Sequence, residues 1–227
     1  MRHEVARDLS ESAKAFQFCI WPELSSFFGG EAVHVESVSA NGFDKQLDTL
    51  AGIDAWNVHP ARGHIFGLAS RAQPSPCPLS IPSFPANTFT IRMQRDTGSL
   101  TEYAKRIDAI SAGALFPTWT VHGYYFKKKG AYRFLSAMAC KTLPLYRLCQ
   151  ECIELDAHSD QFCEPTKREW PPTQGMWGFN RADNADFAWL SFSFVKRNIS
   201  RGDWQLFCSQ DYRRLFAHWQ SRKQAAA

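Results

Sequence analysis

The most constraining stretch of the chain is Gly52-Ile53-Asp54-Ala55-Trp56, where a carboxylate sits inside an apolar run that continues to Val58 and is bounded by Gly52 and Pro60. Such a run reads as a short, mostly buried strand. A carboxylate there is costly unless a partner or a metal ion meets it. Asp54 therefore has to be explained by whatever fold is assigned.

The segments that follow share this character. Phe66 to Gln73 alternates with the period of a strand, placing Phe66, Leu68, Ser70 and Ala72 on one face. Arg71 and Gln73 then point together to the other. Thr88 to Met93 reads as a further strand, with Phe89, Ile91 and Met93 opposite Arg92. A helix comes next, with Ser99 as its expected N-cap and Glu102 three residues on, the spacing of a capping box. Leu100, Ala104, Ile107 and Ile110 form its apolar stripe, and Lys105 lies on its polar side.

A carboxylate at the start of one strand, a neighbouring strand ending in a polar pair and a following helix together resemble the PD-(D/E)XK nuclease-like core. The resemblance spans roughly residues 16 to 126 and implies a core of helix, three strands, helix, strand. It makes Asp54 the match to that family's metal-binding aspartate. The second motif, an acid, any residue, then lysine, is replaced here by Ser70-Arg71-Ala72-Gln73. Some members carry Gln in place of the lysine or move the acid or lysine onto the next helix. The resemblance thus assigns Asp54, Gln73, Glu102 and Lys105 to the catalytic positions, Asp54 and Glu102 to a metal, and Mg2+ as the candidate ion. Arg71 and Arg92 join them as binding residues.

The helix, strand and hairpin signals along the chain fill in this frame. Ser10 to Phe28 carries helical spacing interrupted by Pro22, and Ala32 to Val38 reads as a strand. One strand is in excess of the core, so either Ala32 to Val38 or Thr88 to Met93 is expected to be an edge addition. The prolines from Pro74 to Pro85 predict a binding loop or lid. Leu115 to Phe126 and Ala131 to Ala139 flank Lys127-Lys128-Lys129-Gly130, a hairpin with a basic tip. Its three lysines and the neighbouring Tyr124, Tyr125, Phe126 and Tyr132 make it a candidate nucleic-acid surface, because bases stack on such rings.

Leu143 to Leu155 predicts a helix. Cys149 and Cys152, with His158 and Cys163, stand near the spacing of a zinc knuckle, but the cysteines fall on the helix's apolar stripe and the glycines of a knuckle loop are missing. Buried thiols without zinc are expected. Residues 156 to 186 read as an irregular excursion, Phe187 to Val195 as a strand, and Tyr212 to Trp219 as an amphipathic helix flanked by Arg213, Arg214, Arg222 and Lys223.

With 227 residues and 44% hydrophobic content, one elaborated domain is expected, its core at about 10–140 and a C-terminal elaboration at about 141–227. The fold class is α/β: a three-layer-like mixed sheet flanked by helices, a restriction-endonuclease-like core with an added hairpin. Seven cysteines and no apolar run of membrane-spanning length point to a reduced, cytoplasmic protein. A net charge of +4 permits nucleic-acid binding. Phosphate-binding glycine loops and a nucleophile elbow are absent from the sequence, and His59, His64 and His122 lack a nucleophile context. Two readings follow. One is a catalytically degenerate nuclease-like module, of the kind a mobile element carries, that binds nucleic acid or inhibits a protein target; the other is an active Mg2+-dependent nuclease. The missing Glu-x-Lys favours the first.

Overall fold

The computed structural model describes residues 11–34, 51–59, 62–75, 87–95, 101–157, 168–169, 175–180 and 185–225. Ser99, His158, Cys163 and most of the proline-rich loop lie outside these residues. The chain is α/β, built on a mixed six-stranded sheet. Its strands are β1 (Glu31–His34), β2 (Ala55–His59), β3 (His64–Pro74), β5 (Trp119–Lys128), β6 (Ala131–Lys141) and β10 (Trp204–Cys208), in the order β1-β2-β3-β5-β6-β10. All neighbours are antiparallel except β3 and β5, which run parallel. A parallel pair requires a crossover. Here the crossover contains β4 (Thr88–Arg95) and helix α2 (Glu102–Ser111).

Of the two strands anticipated as the addition, β4 is the one that leaves the main sheet. Glu31–His34 pairs with β2 at the edge of the main sheet, whereas β4 leaves that sheet to join a second, antiparallel one, β4-β9-β8-β7. This second sheet takes β7 (Arg168–Glu169) and β8 (Gly175–Asn180) from the stretch expected to be irregular, and β9 from Ala185–Ser191.

On one face of the main sheet lies an N-terminal helical segment, in which a π-helical turn, Phe16–Ile20, runs into α1, Trp21–Phe28. Pro22 falls where the π-helical turn passes into α1, and the change in hydrogen-bond register at that junction is where a proline within the continuous helical run is accommodated. Phe16, Ile20 and Leu24 pack against Ala72, Val121, Tyr125, Ala137 and Ala139. Glycine at 123 is what permits this approach, since a Cβ there would stand 2.4 Å from Ile20 Cδ1.

The opposite face carries the larger core. Tyr124, Phe126, Met138 and Cys140 meet Phe89 and Ile91 of β4, Ala188 and Leu190 of β9, and the apolar faces of three helices. These are α3 (Thr142–Ala157), α4 (Phe192–Asn198) and α5 (Gln210–Ala225). Helix α4 corrects the expected strand from Phe187 to Val195, which ends at Ser191. The Ser191 hydroxyl accepts the Phe194 N–H at 3.1 Å, an N-cap that turns the β-prone Phe-Ser-Phe-Val sequence into a helix. A cap also shifts at α2, where Thr101 takes the place expected for Ser99 and accepts the Ala104 N–H at 3.4 Å. Among the described residues no helix is long and apolar enough to cross a membrane.

Candidate functional site

Asp54 is held at the end of a strand ladder. Its backbone N–H donates to Leu68 O at 2.9 Å, continuing the β2–β3 pairing by one residue. Its carboxylate Oδ2 accepts the Ser70 N–H at 2.5 Å. The side chain therefore satisfies a β3 donor that the end of β2 leaves without a partner strand. A charge-assisted bond of this kind answers the cost of placing a carboxylate here.

Helix α2 is docked beside the same corner. Arg106 is 3% exposed, and its two terminal nitrogens donate to Ala51 O and Gly52 O. Gly52 has φ +59°, and a Cβ on it would sit 2.1 Å from Arg106 Nη1, so a glycine there serves both the turn and the close approach. One turn earlier on α2, Glu102 accepts the hydroxyl of Tyr146 from α3 at 2.9 Å. Burial raises the Tyr146 hydroxyl well above its ordinary pKa, with the Glu102 charge acting in the same direction, so it remains a donor. Asp54 and Glu102 thus make separate bonds, one to β3 and one to α3. Lys105 lies half-buried on α2, its backbone N–H donating to Thr101 O at 3.0 Å.

Arg71 and Gln73 do share a face, as their alternation requires. The parallel register sets Arg71 beside His122 and Gln73 beside Tyr124. Between the two sheets these residues form a polar layer. Arg71 Nη1 donates to Thr90 O at 3.2 Å, the Thr90 N–H donates to His122 Nδ1 at 3.0 Å, and the Tyr124 hydroxyl donates to Thr88 O at 2.8 Å. His122 and Tyr124 stack with ring centroids 5.0 Å apart. Arg71 and Arg92 both lie over the Phe187 ring, at 5.6 and 5.3 Å. Arg71, from β3, ties β4 and β9 to the main sheet, whereas Arg92 packs across its own strand pair within the second sheet, packing roles that the sequence reading did not give them. Because Nδ1 accepts, neutral His122 carries its proton on Nε2, which is buried without a partner among the described residues, as is Gln73 Oε1. Burial drives the His122 pKa well below 6.5, and the nearby Arg71 charge adds to this.

The β5–β6 hairpin projects from the sheet as expected. Lys129 and Gly130 occupy left-handed conformations, φ 50° and 80°, in a two-residue turn closed by the Lys128–Ala131 pair. The three lysines are exposed but differ in their contacts. Lys127 pairs with Glu11 and lies 5.1 Å from the Tyr132 ring centroid. Its ammonium, followed by the Tyr132 hydroxyl, holds the Glu11 carboxyl below the usual range.

Cys149 and Cys152 are buried in the core beneath α3. Burial pushes both thiols up, Cys152 to about 11. Among the described residues no group of three His, Cys, Asp or Glu side chains stands close enough to hold a metal ion.

The residues that sequence reasoning missed are Arg106, Tyr146 and His122. Arg106 reads in sequence as the polar side of an amphipathic helix, Tyr146 falls within the helix predicted from Leu143 to Leu155 with no role of its own, and His122 reads as a histidine without a nucleophile context. No known protein family, curated protein or solved structure matches this chain.

Proposed function

We propose that this chain is a nuclease-like scaffold without catalysis, acting as a nucleic-acid-binding module through the tip of its β5–β6 hairpin. The observation that carries the reading is the state of the two carboxylates: Asp54 accepts the Ser70 N–H and Glu102 accepts the Tyr146 hydroxyl. The two acids are anchored to different elements, Asp54 to β3 and Glu102 to α3, and among the described residues neither belongs to a group of three side chains able to hold a metal ion. Mg2+ sites made of two acids are weak and lean on substrate phosphate to complete their shell. Gln73, in the lysine position, offers no cation to a scissile phosphate.

The family reading draws support from the order of elements. Helix, β1, β2 and β3 are followed by α2 and then β5. Removing β4 to the second sheet leaves the helix, three strands, helix, strand succession that the resemblance implies.

The nucleic-acid part of the proposal rests on Lys128 and Lys129. A non-glycine residue at positive φ is uncommon, and asparagine or glycine would suit a turn of this type better. Keeping a lysine at position 129 sets local stability against charge, which suits a phosphate contact at the tip.

The two effects separate in one variant. Lys129→Gly is expected to stabilise the fold by up to about 1 kcal/mol by removing the left-handed Cβ. The same change should weaken oligonucleotide binding and lower the slope of log K against log salt by about 1. Fluorescence anisotropy with labelled single- and double-stranded oligonucleotides over a salt series, beside urea denaturation, reads both. Unchanged affinity in a Lys128→Gln, Lys129→Gly double variant would remove the hairpin from the binding surface.

A further inference from the structure

A pocket of about 360 Å³ lies between β10, α4 and α5 and includes none of the residues so far assigned to binding. Phe192, Leu206 and Phe216 give it apolar walls. Two exposed cations line it, Arg213 from α5 and Lys196 from α4, whose ammonium also lies 5.3 Å from the Trp204 ring centroid, and none of its described lining residues is acidic. At the inner wall is Asn87, 7% exposed, whose Oδ1 is buried without a hydrogen-bond partner among the described residues. That carbonyl oxygen is a buried acceptor in want of a donor.

A larger cavity, about 630 Å³ beside α3, contrasts with this one. Lys141 and Asp203 pair across it at 2.7 Å, and Arg147 is balanced by Glu151, so it selects for no charge. Only the smaller pocket combines net positive charge, apolar walls and an open acceptor. Those three features match a carboxylate, a bulky apolar side chain and an N–H carried on one small unit, which is what the last residue of a peptide presents.

We propose that this pocket captures the C-terminal residue of a partner peptide ending in a bulky apolar side chain, with the carboxylate between Lys196 and Arg213, the side chain against Phe192, Leu206 and Phe216, and the last amide N–H directed to Asn87. The volume is at the small end for ligand pockets and suits one residue. Capture of a terminal carboxylate is an established mode of peptide recognition. The proposal does not rest on the nucleic-acid reading, since the lysine hairpin contributes nothing to this pocket.

The test uses the full chain and fluorescein-labelled Gly-Ser-Gly-Ser-Phe with a free carboxylate. Amidating the terminus, or replacing the final Phe by Ser, is expected to weaken binding by about tenfold or more, the scale of one lost charge-assisted or apolar anchor. Replacing the last amide by an ester removes only the N–H and is expected to cost several-fold. A Lys196→Gln, Arg213→Gln double variant, both changes being on the surface, should bind the free acid as weakly as wild type binds the amide, with an unaltered circular dichroism spectrum. Equal binding of acid and amide would overturn the proposal. So would tighter binding of adenosine monophosphate, which would make the pocket a nucleotide site, or binding of N-acetylphenylalanine with none of the peptide, which would assign it to a free acid.

Discussion

Arg106→Met is expected to destabilise the fold by about 2–5 kcal/mol, because each of the two carbonyls left without its donor costs about 1–3 kcal/mol. The methionine stem replaces most of the lost volume, so packing is not the source of the effect. What is lost is the pair of guanidinium donors that meet Ala51 O and Gly52 O at a site only 3% exposed. The two carbonyls stay behind without them. Gly52→Ala attacks the same contact from the other side, because its Cβ would overlap the guanidinium while the backbone is held at φ +59°. The consequence reaches the candidate site, since this contact seats α2, with Glu102 and Lys105, beside the turn that leads into Asp54. Urea denaturation should show a lower midpoint with an unchanged slope. A loss below about 1 kcal/mol would mean that Arg106 is a passenger and that other contacts hold α2.

Stability is expected to fall as the pH drops below 6.5, the ordinary histidine value, by about 1.4 kcal/mol per pH unit. His122 is the cause. In the folded chain burial, reinforced by the Arg71 charge, keeps it neutral well below 6.5. In the unfolded chain it takes up a proton at about 6.5, so over that window the unfolded state binds more protons and stability rises with pH. The contribution is complete above 6.5 and is lost progressively until the folded pKa is passed. Glu11, held below its ordinary 4.5, adds acid sensitivity only beneath that value, so the two ranges are separable. His122→Gln keeps an acceptor for the Thr90 N–H and carries no titrating group; its unfolding free energy should be flatter between pH 6.5 and 5. An identical slope in the variant would transfer the effect to another residue.

The parts of the fold that were legible in the sequence are those specified locally. The period-two alternation from Phe66 to Gln73 located β3 and put Arg71 and Gln73 on one face, and the Lys-Gly turn between aromatic runs located the β5–β6 hairpin. Other parts depend on contacts distant in sequence. Thr88 to Met93 was legible as a strand, but its sheet is chosen by pairing with Ala185–Ser191, about a hundred residues later. The five residues of β10 are too few to carry a period, and they find their place through Met138 and its neighbours on β6. Ser191 shows how one cap overrides β propensity.

At the site, the sequence identified Asp54 as a carboxylate that must have a partner. A metal ion and a backbone N–H at a strand end answer that need equally well on paper. The structure provides the Ser70 N–H. His122 illustrates the converse, a residue that looked idle for want of a nucleophile and instead joins the two sheets through Thr90.

The most direct measurement of whether this scaffold is catalytic is cleavage of mixed single- and double-stranded DNA and RNA with Mg2+ or Mn2+, run side by side on wild type and Asp54→Ala. The variant should remain folded and lose about 1–2 kcal/mol of stability, because the Ser70 N–H is left without its acceptor. The account predicts that neither protein cuts and that both bind the substrates alike through the hairpin. Cleavage by wild type that disappears in Asp54→Ala would contradict it and make the chain an active metal-dependent nuclease.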